Sequence, residues 1–263
     1  MSRRAAICLN NIAISLLQRG LFREASETMR EAISMMQIVL QNKQDNGGSH
    51  SDNLNSNSPC WIYAKIDRAS KYLASSQALS STAAIEVRVA SHDGIGVHFP
   101  DAESPLLLGS SYYCLPQASF AVPIRLDHLS YDYQDERDPE LEAALMLFNF
   151  GVTHFCQSRE LSSKHSSPTK TSRAMAKASV RLFKASLETM HNYVAPATAD
   201  LFPEDELMIE CIVLSHLVQT QLDLGKLADA QSCYQQMRII QDLQGETLMD
   251  MCSMDIDTAA AAA

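Results

Sequence analysis

No run of apolar residues in the chain approaches eighteen, so no segment can cross a bilayer as a single helix. Glycine and proline are scarce, at nine each in 263 residues, which excludes collagen-like and Pro/Gly-dominated disordered chains. The seven cysteines (Cys8, Cys60, Cys114, Cys156, Cys211, Cys233 and Cys252) include no C-x-x-C pair. An odd, scattered set argues against a disulfide framework and for a reducing compartment. The absence of any Asn-x-Ser/Thr acceptor agrees with that. Gly94-Ile95-Gly96 lacks both a third glycine and a following helix, so no dinucleotide fingerprint is present. His92, Asp93 and His98 flank it without a third and fourth ligand at ordered spacing, and read as a turn. No nucleophile elbow occurs. These gaps leave the expectation of a protein that is not an enzyme and carries no cofactor or metal.

What is present is ordinary globular material, 46% apolar and 20% charged, long enough for one large domain or two small ones. The charge is uneven. Residues 1–199 balance, and the whole formal −10 lies in residues 200–257, where twelve acids face only Lys226 and Arg238. Such a field repels nucleic acid and anionic lipid and favours basic partners, unless it serves only to solubilise. Arg3, Arg4, Arg19 and Arg23 precede the first acid, Glu24, which leaves mitochondrial import open beside the expected cytoplasmic or nuclear setting. Asn10 and Asn11 interrupt the apolar stretch and argue against a secretory signal.

Helical periodicity divides the chain. Residues 5–41 read as two amphipathic helices broken at Gly20, which tolerates the left-handed conformation a helix end needs. Residues 42–59 are polar low complexity and are expected to be a disordered linker. Residues 60–138 begin with a short helix around Trp61 and then read as partly β. Ile85–Ala90 and Phe120–Leu126 alternate as strands do, with two to four short strands expected. A second helix pair covers 139–194 with an exposed loop at 160–171, and a third covers 204–243 about Gly225. Residues 244–263 are acidic and alanine-rich and are expected to be disordered.

Laid over each other, the first and third pairs share their spacing. Leu9-Asn10-Asn11-Ile12-Ala13 is followed by Gly20-Leu21-Phe22, Ala25, Met29 and Ala32; Leu214 through Val218 is followed by Gly225-Lys226-Leu227, Ala230, Tyr234 and Met237. The middle pair matches in two halves, Leu147 to Gly151 and then Ala178, Leu182 and Ala185, with an expanded turn between them. This pattern resembles the tetratricopeptide repeat, a helix–turn–helix unit. Leucines 9, 147 and 214 stand where that family has tryptophan, and the repeats are not in tandem.

The resemblance implies a mainly α fold of three helical hairpins with a small, partly β insertion between the first and second. It implies that Ala13, Gly20, Ala25, Ala32, Gly151, Ala178, Ala185, Gly225 and Ala230 let helices nest. It implies a protein–protein interaction or scaffold function with a concave partner groove lined by Ile7, Asn10, Ile14, Leu17, Leu145, Phe148, Val152 and Phe155, and in the third pair by Ile212, Ser215, Gln219 and Leu222. Of the family's chaperone-tail clamp positions (Asn10, Ile14, Asn149, Ile212 and His216), only Asn149 carries the matching residue type. The expected partner is a protein offering a basic or an apolar peptide, with no membrane.

Two alternatives stand beside this. Arg173, Lys177, Arg181 and Lys184 fall within about eighty degrees of one helix face and could hold phosphates or nucleic acid. No aromatic side chains accompany them, which favours a solvated face. An enzyme with its site in residues 85–126 is the other. Finally, the apolar segment 106–124 is expected to pack across the first helices of the hairpins as an internal cap over Phe148, Val152 and Phe155, unless it forms a separate β module.

Overall fold

The computed structural model of the chain describes residues 2–45, 60–75, 86–87, 90–91, 120–126, 139–165, 168–194, 204–240 and 242. These residues are mainly helical, and the chain divides into two compact units, Met1–Tyr193 and Val194–Ala263. Residues 46–59, 92–119 and 243–263 lie outside the described set, and with them the greater part of the expected linker, insertion and tail.

In the first unit, α1 (Ser2–Gln18) buries Ala6, Leu9, Ala13, Ile14, Leu16 and Leu17 because it is covered from three sides, by α2, by α3 and by α4. It stops at Gly20, whose φ of 73° is the left-handed region that favours glycine. The Leu21 amide reaches back to the Leu16 carbonyl (3.0 Å) and the Gly20 amide to that of Leu17 (2.9 Å), so two orphan carbonyls are satisfied. α2 (Phe22–Asp45) then returns with Phe22, Ala25, Met29, Ala32 and Met36 buried along one stripe. It runs to Asp45, past the expected start of the linker at residue 42, because no Gly or Pro interrupts it before Gly47. Ala25 and Ala32 are fully buried. Ala25→Leu is therefore expected to cost about 2–3 kcal/mol by overpacking; a thermal midpoint equal to wild type would refute this.

α3 (Cys60–Ser75) leans on this hairpin through Ile62 and Ala69. Arg19 Nη1 donates to the Leu73 carbonyl at 2.5 Å, and Lys65 pairs with Glu31 while lying 5.1 Å from the Trp61 ring centre. Between this helix and the next stand four two-residue strands in two parallel pairs. β1 (Glu86–Val87) pairs with β3 (Phe120–Ala121), and β2 (Ala90–Ser91) pairs with β4 (Ile124–Arg125).

α4 (Pro139–Ser163) and α5 (Lys170–Val194) lie antiparallel. Small residues recur every seven positions on both: Ala144, Gly151 and Ser158 face Ser186, Ser179 and Ser172. The Ser186 hydroxyl donates to the Ala144 carbonyl (2.8 Å), the Ser179 hydroxyl to that of Gly151 (2.9 Å), and the Ser158 hydroxyl to that of Ser172 (2.8 Å). Short side chains let the backbones come this close, and each buried hydroxyl is satisfied. The sequence pattern puts Ala178 and Ala185 in these seats, but both are only half-buried and the serines one residue further on face α4. Alanines and serines share the same seven-residue period, so spacing alone cannot say which row turns inward. Ala178→Leu is expected to change stability by less than about 1 kcal/mol, in contrast to Ala25→Leu.

The second unit holds α6 (Glu204–Asp223) and α7 (residues 227–240). Their turn repeats the two closing bonds of the first. Gly225 has φ 74°, Lys226 N–H reaches the Gln221 carbonyl (2.9 Å), and Gly225 N–H that of Leu222 (2.9 Å). Ala230, Cys233, Met237 and Ile240 form the buried stripe of α7.

Candidate functional site

Asn10 and Asn149 are fully buried, and a buried amide needs partners for both its ends. The partner here is main chain. Asn149 Oδ1 accepts from the Ile124 N–H (2.8 Å), and Asn149 Nδ2 donates to the carbonyl of the same residue (2.7 Å). Asn11 treats Leu126 in the same way: its Oδ1 accepts from the Leu126 N–H at 3.1 Å, and its Nδ2 donates to the Leu126 carbonyl. Asn10 joins the two clamps, accepting from Asn149 Nδ2 (3.0 Å) and donating to Asn11 Oδ1 (3.2 Å). Two side-chain amides, Asn11 on α1 and Asn149 on α4, thus stand in for a neighbouring strand along one edge of residues 124–126, and Asn10 links them. In an extended chain the polar groups of alternate residues point to the same edge, which is why Ile124 and Leu126 are gripped and Arg125 is not. Pro123, which has no N–H, sits in the other phase, where that loss costs nothing at the clamp.

The segment is buried as well as clamped. Ala121, Val122, Pro123, Ile124 and Leu126 are all buried, and only Arg125 reaches half-exposure. Its Nη2 donates to the Ser15 hydroxyl at 3.2 Å, while its buried Nε has no partner among the described residues. At the far end of α1, Arg3 holds the buried carboxylate of Glu142 in a two-pronged pair, Nε to Oε2 at 2.8 Å and Nη2 to Oε1 at 3.0 Å. That pair and the amide chain lock α1 onto α4.

All eight residues assigned to the groove, Ile7, Asn10, Ile14, Leu17, Leu145, Phe148, Val152 and Phe155, are buried. Phe148 meets Phe183 of α5 with ring centres 5.6 Å apart, a contact within its own hairpin. Of the segment 106–124 expected to form a cap, residues 106–119 lie outside the described set, and Ile124 at its end is held against α4 by Asn149. In the third pair, Ile212, Ser215 and Gln219 are half-buried and Leu222 is exposed. His92, Asp93 and His98 lie outside the described residues. Among the described residues no three His, Cys, Asp or Glu side chains gather as metal ligands, and no helix is long and apolar enough to cross a membrane.

The basic face behaves differently. Arg173, Lys177, Arg181 and Lys184 are all exposed on α5, and none of their side chains makes an ion pair or hydrogen bond with a described residue.

Buried titratable groups elsewhere are held neutral. Burial pushes the Cys156 thiol up to about 12 and that of Cys211 to about 11, so neither is a ready nucleophile. Burial also lowers the His216 pKa to about 4, partly offset by its 2.9 Å contact to the Ile212 carbonyl. A histidine that is harder to protonate when folded than when unfolded makes the unfolded chain bind more protons below its normal range. Stability of the Val194–Ala263 unit is therefore fully present above about pH 6.5 and falls as pH drops towards 4, by roughly 3 kcal/mol from this group. Hydrogen exchange of the α6 amides should record that loss, and His216→Gln should remove it; an unchanged pH slope in the variant would refute the assignment.

No protein-family model matches the chain, and neither does any curated protein or any solved structure.

Proposed function

We propose that the chain is a non-catalytic protein–protein interaction or scaffold protein, built from helical hairpins of the tetratricopeptide kind with a small, partly β insertion between the first and second. The observation that carries this reading is the repetition of one turn at two places 205 residues apart in sequence. Gly20 and Gly225 share φ, both hydrogen bonds of the helix end, and the small buried residue five positions on, Ala25 or Ala230. Two helices joined in that way bury a face only by stacking on others, and stacked hairpins offer long surfaces rather than a reaction centre.

The exposed basic face of α5 favours a second reading, the binding of nucleic acid or another polyanion. Affinity capture of the full chain from its own cells, with and without nuclease, separates the two. Protein partners retained after nuclease support the first. Capture dominated by nucleic acid, and lost when Arg173, Lys177, Arg181 and Lys184 are changed to Gln, would establish the second instead.

A further inference from the structure

We propose that the solvent face of α5 is a docking surface for an acidic α-helix of a partner protein. The partner carries Asp or Glu at the spacing i, i+3, i+7, i+11 and i+14, one acid for each of five bases. The inference rests on the interaction reading above and names the partner for one surface.

From Lys170 to Lys184 the exposed residues of α5 are five bases, Lys170, Arg173, Lys177, Arg181 and Lys184, with Thr171 and Ala174. The bases occupy about 80° of the helix and, at 1.5 Å per residue, about 21 Å of its length. No acid occurs between residues 161 and 187. Lysine is paired elsewhere: Lys65 with Glu31, Lys71 with Asp67, Lys164 with Glu160 and Lys226 with Asp229. Lys170, Lys177 and Lys184 make no ion pair with a described residue, in a chain with an excess of ten acids over bases. Charge complementarity thus asks for acids that the described residues do not supply, and the geometry selects among anions. A DNA duplex carries one charge per 1.7 Å of axis, about twelve over this length, whereas a helix with an acid every three or four residues carries five. Glu188 is exposed at the same angle one turn beyond Lys184 and repels a polyanion that runs on, while a helical partner need only change residue there. Single strands stack on aromatic side chains, and none is exposed on this face. A bilayer takes in apolar side chains, and Ala176, Phe183 and Met190 of α5 are buried. Ala174, exposed among the bases, has only a methyl group, so a second helix can come close enough for the flanking Lys and Arg to reach its acids. Exposed charges of this kind set register and steer approach more than they add affinity, so the face reads the pattern of acids rather than their number.

The test uses the full-length chain and two fluorescent alanine-rich peptides of about eighteen residues, long enough to span the stripe and locked helical by a staple. One carries five glutamates at the spacing given above, on one face; the other carries the same five scattered round the helix. At low salt the striped peptide is expected to bind at least ~10-fold more tightly than the scattered one. Lys177→Gln with Arg181→Gln should remove most of that preference. Both side chains are exposed and unpaired, so the melting curve should stay that of wild type. Arg173→Gln with Lys184→Gln, an independent pair on the same face, should act alike. Equal binding of the two peptides overturns the proposal, and so does binding that neither pair of changes weakens. A DNA duplex of about twenty base pairs that displaces the striped peptide through the same four side chains also overturns it, in favour of nucleic acid. None of these results touches protein capture by the full chain, whereas capture without any protein partner would overturn the interaction reading itself.

Discussion

Asn149→Ala is expected to destabilise the Met1–Tyr193 unit by about 3–5 kcal/mol, because three buried polar groups lose their partner at once. These are the N–H and the carbonyl of Ile124 and the side-chain oxygen of Asn10. The neighbouring clamp provides the internal comparison. Asn11 is half-buried, and water can reach what its removal leaves, so Asn11→Ala should cost about 1–2 kcal/mol. The single tryptophan lies on α3 within this unit, and its fluorescence follows urea unfolding of these residues. Midpoints equal to wild type for both variants would mean that the amide network contributes little.

The second large effect is expected at Gly151. A Cβ there would stand 2.5 Å from Cε1 and 2.6 Å from Cδ1 of Phe183, a ring fully buried and packed on Phe148. Gly151→Leu should therefore cost about 4 kcal/mol or more. The more telling change is Gly151→Ala. In an open helix it would add about 1 kcal/mol of stability through propensity alone. Here it should destabilise, and Phe183→Leu in the same chain should recover part of the loss by making room. A stabilising Gly151→Ala would show that the ring can move aside.

What could be read from the residues alone is uneven, and the unevenness has physical causes. Gly20 and Gly225 announced their turns because a left-handed helix end is a local requirement met within six residues. Ala25, Ala32 and Ala230 could be assigned inward because large apolar residues flank them at helical spacing. Phe148 could not be aimed: a helix covered on several faces has apolar residues all round, and periodicity then carries no direction. The clamps were half-visible. Asn149 inside Leu147-Phe148-Asn149-Phe150, and Asn10 next to Leu9 in an apolar helix, are polar residues at positions that must be buried, so a partner was required. The identity of that partner was hidden, since Ile124 is 25 residues from Asn149 and Leu126 is 115 from Asn11. Extended segments such as Phe120–Leu126 reveal that they pair, but not with what.

The Arg3–Glu142 and Asn10–Asn149 contacts each join residues 139 positions apart, and this bears on how the chain is made. At about 5–20 residues per second of synthesis, roughly 7–30 s separate the emergence of α1 from that of the residues that cover it. During that interval the first hairpin can form from local contacts, yet the amides of Asn10 and Asn11 and the apolar side chains around them have nothing to meet. The growing chain therefore presents an unsatisfied face to ribosome-associated chaperones for most of its synthesis. Limited proteolysis of nascent chains stalled on either side of residue 150 would reveal the moment at which that face closes.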